Sequence, residues 1–399
     1  MMCLIKWKRW CALWLALLLS ILACPIKGAA LSKEEAPTLT PQAPAPQTSA
    51  TAMALYAPDA DVFLTEKGAD QALPMASTTK IMTAVVVLEH CDLSETVTVQ
   101  KDAVGVEGTS VYLFEGEVLT VGTLLYALLL SSANDAAVAL ALHVAGSISA
   151  FADLMNEKAR ALGLENTHFK NPHGLHDEEH YTTARELAKI TAHALKNPHF
   201  AEIVGTVRYT APQSGTGATR LFLNHNKLLR TYDGAVGVKT GFTKASGRCL
   251  VSAACREGLL LIAVTLRDGN DWRDHTALLD WGFDHFTALT PKDAAYSLPV
   301  VGGTVGTVAL LPREPFCLLL PKPHGEITVK TELPRFLFAP AEKGAEVGSI
   351  VYLLDGKEIG RVTLVTGEAL VPLADRRTFL RKIKDFLKRH FGKDVVWSP

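Results

Sequence analysis

Three runs, IMTAVVVL at 81–88, VGTLLYALLLSSAND at 121–135 and AAVALALHVAG at 136–146, are apolar on nearly every face. A helix that is apolar all round must be enclosed by the rest of the chain, because no polar side is left to meet water. For 81–88 the pattern alone fits either a strand or a buried helix. The Ser77-Thr78-Thr79 start favours helix, since hydroxyl side chains there can cap free N–H groups. An amphipathic helix, SISAFADLMNEKARALGL, follows and ends near Gly163.

With 399 residues, the chain can supply the cover as one large domain plus a smaller one. Short apolar runs around PDAD at 58–61 predict a strand pair. RCLVSAACR and LLLIAVTLR predict an antiparallel pair turning at Glu257-Gly258, and DWRDHTALLDWGFDHF predicts a closing helix. From about Pro291 the texture changes to short apolar runs between Gly, Pro and Asp, with a hairpin turn at Asp355-Gly356, which reads as a small β domain.

The ends of the chain read differently. Lys6, Lys8 and Arg9 precede the apolar stretch CALWLALLLSILAC, and KGAA follows, so residues 1–30 are expected to be an export signal, too short for a comfortable membrane span. Cys24 also fits a lipoprotein cysteine loosely, with Leu22 bulky for that pattern. Residues 31–50 are rich in Pro, Ala and Thr without periodicity, and predict a flexible tether with folding beginning near Thr51. In residues 374–399, Phe379, Leu380, Ile383, Phe386, Leu387 and Phe391 share one helical face, while Arg381, Lys382, Lys388 and Arg389 point elsewhere. Such a helix suits an anionic bilayer surface or ordinary packing on the β domain.

A formal net charge of −1 gives no reason to expect a nucleic-acid partner. Outside the signal, Cys91, Cys249, Cys255 and Cys317 show no C-x-x-C spacing, so no metal is expected. They read as buried apolar residues, with Cys249 and Cys255 on one strand facing the same side.

Ser77 and Lys80 stand at i and i+3, within reach of each other on a helix. A serine hydroxyl needs a neighbouring base, and an ordinary lysine is protonated. Burial and a second cation, Lys239, would lower the Lys80 pKa so that a neutral amine could take the serine proton, while Lys239 stays charged toward an anionic substrate. Alone, Ser-x-x-Lys is weak. Ser132-Ala133-Asn134 and Lys239-Thr240-Gly241 complete, in order, the Ser-x-x-Lys, Ser-x-Asn and Lys-Thr-Gly set of penicillin-binding proteins and class A β-lactamases.

The surroundings of these motifs, ASTTKIMTA, LLYALLLSSANDAAVALA, FKNPHGLHDEEHYTTARELAKI and LLRTYDGAVGVKTGFT, resemble the low-molecular-weight D-alanyl-D-alanine carboxypeptidases, from about residue 53 to about 370. The resemblance implies an α+β fold: a β-lactamase/transpeptidase-like catalytic domain at 51–290, with an antiparallel sheet flanked by helices and a helical subdomain, then a small β-rich domain at 291–373. It implies acylation of Ser77, proton relay by Ser132, substrate amide binding by Asn134 and carboxylate binding by Thr240. The oxyanion donors by similarity are the backbone N–H groups of Ser77 and Phe242, with Gly241 leaving room. Arg248 is either a further carboxylate ligand or a solvated strand-edge residue. His173 and His225 are read as structural, and Arg273 sits too close to Leu278 to match the family's arginine before that helix.

The implied enzyme is a serine-type carboxypeptidase of peptidoglycan stem peptides, inhibited by β-lactams, with no cofactor, on the outer face of the cytoplasmic membrane. A β-lactamase would need a loop glutamate, and no Glu-x-x-Leu-Asn run lies between Asn134 and Lys239. A non-catalytic penicillin-sensing or wall-binding module would be signalled by loss of a motif residue, and none is lost.

Overall fold

A computed structural model describes residues 43–212, 219–290 and 296–373. The expected signal, the first part of the tether and the C-terminal helix lie outside the described residues.

Strands β1 (Ala52–Ala57) and β2 (Val62–Lys67) form the hairpin expected around PDAD. A 3-10 turn at Ala76–Thr79 runs into α1 (Lys80–His90), so the ambiguous 81–88 stretch is helix. The capping expectation fails at this turn. Thr78 Oγ1 donates to the Met75 carbonyl (2.6 Å) and Thr79 Oγ1 to the Ala76 carbonyl (2.8 Å), so the hydroxyls bond backward within the tight turn and cap no N–H.

A small ribbon, β3 (Thr96–Thr98) with β4 (Val118–Thr120), leads to α2 (Val121–Leu130), α3 (Asn134–Ala145) and α4 (Ile148–Ala161). Helices α5 (Ala184–Leu195) and α6 (Pro198–Gly205) follow, then the hairpin β5 (Arg208–Pro212) with β6 (Thr219–Leu223) and the short α7 (Leu228–Thr231). Strands β7 (Ala235–Thr243), β8 (Gly247–Arg256) and β9 (Leu259–Leu266) complete a five-stranded antiparallel sheet in the order β2-β1-β9-β8-β7. The β8–β9 turn places Glu257 and Gly258 at φ 50° and 80°, the left-handed pair a two-residue hairpin needs.

Helix α8 (Asp271–His285) covers one face of the sheet with Leu278, Leu279, Trp281 and Phe283. The helices α1 to α6 bury the other face in the larger core, where α2 and α3 are enclosed as their composition requires. Both faces being covered explains why Cys249 through Ala254 of β8 are all buried.

Two expectations need correction here. Residues 43–50 are folded against α8 and are no tether: Trp281 Nε1 donates to the Ala43 carbonyl, the Ser49 backbone N–H donates to Asp274 Oδ2 (2.6 Å), and Ala50 is buried. Small side chains without periodicity still fill a groove that α8 provides. Of the four thiols only Cys249 is buried; Cys91 and Cys317 are half-buried and Cys255 is exposed.

Strand β10 (Phe286–Leu289) leaves the larger sheet-and-helix unit and pairs with β13 (Leu318–Pro321). The β-rich part also holds β11 (Tyr296–Val301), β12 (Thr307–Pro312), β14 (Ile327–Glu332), β15 (Leu337–Phe338), β16 (Glu346–Leu354) and β17 (Lys357–Thr366), a sheet in the order β14-β16-β17-β12-β11-β15 over its own core. The β16–β17 hairpin turns at Asp355-Gly356, both with positive φ.

The hairpin β5–β6 is tied to the loop before β4 by Arg220, whose Nη1 and Nη2 reach the fully buried Glu117 carboxylate at 2.6 and 3.1 Å. Removing one partner leaves an uncompensated buried charge, whereas replacing both with apolar groups does not. Arg220→Ala is therefore expected to lower stability to urea by about 3 kcal/mol, and the pair Arg220→Met with Glu117→Leu to recover most of it.

Candidate active site

Ser77 sits in the 3-10 turn and Lys80 opens α1, so the i, i+3 relation becomes a contact: Lys80 Nζ lies 3.0 Å from Ser77 Oγ. The lysine is fully buried. Its amine also donates to Asn134 Oδ1 at 2.7 Å and to the His173 carbonyl at 2.6 Å. Both of those oxygens can only accept. A neutral amine satisfies them with its two N–H bonds and turns its lone pair to the serine hydroxyl, which is the arrangement a general base requires.

Burial, and after it the charge of Lys239, push the Lys80 pKa well below the usual lysine value, with Asp135 opposing them. Lys239 on β7 is also fully buried, and burial brings it down to about 7. Its Nζ donates to Ser132 Oγ at 3.0 Å and to the Thr240 carbonyl at 2.9 Å. Ser132 occupies the bend between α2 and α3 with φ 59°, so a non-glycine residue in the left-handed region aims its hydroxyl at Lys239. Ser77–Lys80 and Ser132–Lys239 are thus two hydroxyl–amine pairs, and Asn134 links the first pair to the helix that follows the second.

The turn that carries Ser77 is clasped by two glycines. A Cβ on Gly174, where φ is 90°, would fall 2.0 Å from the Ala76 carbonyl oxygen and 3.0 Å from the Ser77 nitrogen. A Cβ on Gly241 would stand 3.1 Å from the Ser77 nitrogen and 3.1 Å from the Met75 oxygen. Strand β7 is the outer strand of the sheet, and at Gly241 it brings bare backbone close to the Ser77 N–H, where a Cβ would be tight. Phe242, exposed at 65%, follows at the mouth, next to the partly exposed Thr240.

Five further residues take their roles from their surroundings. Asn134 has both ends of its amide engaged, since Nδ2 donates to the Glu107 carbonyl at 2.6 Å while Oδ1 faces Lys80; it positions the base in this structure. His173 contributes its carbonyl to Lys80, and burial, then Lys80, hold its ring neutral with a pKa of about 3. Burial, then Lys239, lower the His225 pKa as well. Arg248, expected as a possible carboxylate ligand, already has a carboxylate: Nε and Nη2 each lie 3.0 Å from Asp271 at the start of α8. This bidentate pair orients the guanidinium and leaves its other N–H donors on a half-exposed side chain. Arg273 lies on α8 itself, exposed.

Sequence reasoning missed two supporting residues. Asp135 accepts from Ser110 Oγ, Val111 N and Leu113 N, pinning the loop that fronts Asn134. His180 accepts the Lys170 N–H at Nδ1, so its proton is on Nε2 and is donated to Thr79 Oγ1, which in turn donates to the Ala76 carbonyl beside the nucleophile. Asp135 had only its place after the Ser-x-Asn motif as a signal. His180 lay in the HYTTA stretch among the family-like surroundings, with no spacing to tie it to Thr79.

A family model described as D-alanyl-D-alanine carboxypeptidase matches residues 38–270, and one described as penicillin-binding protein 5, C-terminal domain, matches residues 283–371. The chain is 31% identical over 337 residues to D-alanyl-D-alanine carboxypeptidase DacF of Bacillus subtilis, covering 81% of this chain and 86% of that protein. Among solved structures it resembles penicillin binding protein 5 from Haemophilus influenzae, with a TM-score of 0.65 and 29% identity over 82% of this chain and 99% of that one. It also resembles the Streptomyces K15 DD-transpeptidase, with a TM-score of 0.58 and 36% identity over 61% of this chain and all of that one (100%). With family models covering both the two-serine, two-lysine site and the appended β domain, the chain belongs to the low-molecular-weight penicillin-binding proteins, in the serine-type D-alanyl-D-alanine carboxypeptidase family.

Proposed function

We infer that the enzyme removes the terminal D-alanine of peptidoglycan stem peptides through an acyl-enzyme on Ser77. The observation that carries this reading is Lys80: a fully buried amine, its pKa pushed down by burial, with two acceptor oxygens to take N–H bonds and Ser77 Oγ 3.0 Å from its Nζ. Ser77 Oγ attacks the carbonyl carbon of the penultimate D-alanine as Lys80 takes its proton. The developing oxyanion meets the N–H groups of Ser77 and Phe242, donors already fixed where charge appears. The C–N bond then breaks, and Ser132, held by Lys239, delivers a proton to the leaving D-alanine amine and is reprotonated with the proton Lys80 took from Ser77, which leaves Lys80 neutral for the next step. Water, deprotonated by the same machinery, attacks the ester and frees Ser77. Protonated Lys239 and Thr240 hold the substrate's terminal carboxylate. A β-lactam ring presents an equivalent amide and acylates the same serine.

Export and membrane attachment belong to this proposal. They are supported by the signal-like pattern of residues 1–30 and the basic amphipathic pattern of residues 374–399. Among the described residues no single helix is long and apolar enough to cross a membrane. On this reading the β domain is a spacer that holds the catalytic domain away from the bilayer toward the wall.

Three measurements test these points. A fluorescent penicillin should label the peptide containing Ser77, and Lys80→Arg, which keeps the charge but cannot act as a base, should acylate about 10²–10⁴-fold more slowly; a parent-like rate excludes the general-base role. The productive form has Lys80 neutral and Lys239 protonated. The second-order acylation rate should therefore rise as Lys80 loses its proton and fall, about tenfold per pH unit, above the Lys239 value of about 7. Bound substrate carboxylate should move that falling limb of kcat to higher pH. Finally, mature protein should float with anionic liposomes at low salt and less at high salt, while a chain ending at Leu373, with Cys24 absent from both, should not float.

A further inference from the structure

At the end of the helical subdomain remote from Ser77, three potential metal ligands meet. Cys91 caps the C-terminus of α1, its N–H donating to the Val87 carbonyl. Glu95 lies in the turn that follows, and His143 is in the last turn of α3. One sulfur, one carboxylate oxygen and one imidazole nitrogen all lie within 4.8 Å of one another, with His143 Nε2 3.5 Å from Glu95 Oε2. In a tetrahedral zinc site, bond lengths near 2.0–2.3 Å place ligand atoms about 3.3–3.6 Å apart. The histidine–glutamate spacing already falls in that range, and the thiol closes the rest by side-chain rotation. The other Glu95 oxygen accepts the Asp92 N–H, so the carboxylate is oriented by backbone as metal-bound carboxylates commonly are. Cys91 has no disulfide to hold it back.

We propose that Cys91, Glu95 and His143 form a zinc-class divalent cation site, completed by water, that staples the far ends of α1 and α3. The same two helices begin at Lys80 and Asn134, whose side chains are joined at 2.7 Å. An ion at the opposite ends fixes their mutual alignment from about 15 Å away, the length of α1. Binding exchanges the Cys91 S–H proton, released to water, for an S–metal bond. The site therefore acts on the stability of the helix pair and supplies no group to the reaction itself. No sequence spacing announces it, because Cys91 and His143 are joined only by the packing of the two helices.

The test uses untagged mature protein titrated with Co²⁺ and then Zn²⁺. The expected result is saturable one-to-one binding with a thiolate-to-cobalt charge-transfer absorption, its displacement by Zn²⁺, and a Tm that rises with zinc concentration. Cys91→Ser should abolish the charge-transfer band, and His143→Gln should weaken binding by about tenfold or more and remove the Tm rise. Cys255→Ser, which alters the exposed thiol elsewhere, should keep both. Penicillin labelling of each variant at the parent rate without metal shows that it is folded. Absence of saturable binding, or a band that survives in Cys91→Ser or at unchanged affinity in His143→Gln, overturns the proposal.

Discussion

A lysine side chain taken wholly out of water is the constraint on which the rest of the site depends. An ammonium in that position costs several kcal/mol in desolvation, and the protein answers by favouring the amine and giving its hydrogens fixed acceptors. The acceptors come from far along the chain: Asn134 Oδ1 is 54 residues from Lys80 and the His173 carbonyl is 93 residues away. The apolar helices α1, α2 and α3 provide the low-dielectric surroundings, so their unbroken hydrophobic character is part of the catalytic chemistry as well as of the core.

Positioning Ser77 demands unusual backbone. Ala76 has φ 47° and Ser132 has φ 59°, each costing roughly 1–2 kcal/mol for a residue with a Cβ. These two residues sit immediately before the nucleophile and at the second hydroxyl. The strain persists because the surroundings over-determine it. Gly174 and Gly241 bring bare backbone against the Ser77 turn from two sides, Thr83 ties α1 to the Pro172 carbonyl at 2.6 Å, and the His180–Thr79 chain holds the Ala76 carbonyl.

Much of the architecture could be read residue by residue. The sheet hairpins at Glu257-Gly258 and Asp355-Gly356, the enclosed helices and the change of texture near 291 all rest on patterns with a range of a few residues. Two local readings failed for an identifiable reason. The Thr78 and Thr79 hydroxyls bond backward because the helix opens with a 3-10 turn, and residues 43–50 fold because α8 and the loop before it, more than two hundred residues later, offer Trp281, Asp274 and Asp268 as partners. Neither outcome is encoded in the neighbouring residues.

The residue types that do the chemistry, their order along the chain and the i, i+3 placement of Ser77 and Lys80 were determined by the sequence alone, because side chains one helical turn apart meet whatever surrounds them. Which amine is more strongly perturbed, which way the Asn134 amide faces, that His173 serves through its carbonyl, and that Arg248 pairs with Asp271 were decided only by the tertiary structure. Each of those depends on desolvation or on a partner 23 to 93 residues distant. Burial and long-range hydrogen bonding are properties of the packed molecule, and no window of sequence contains them.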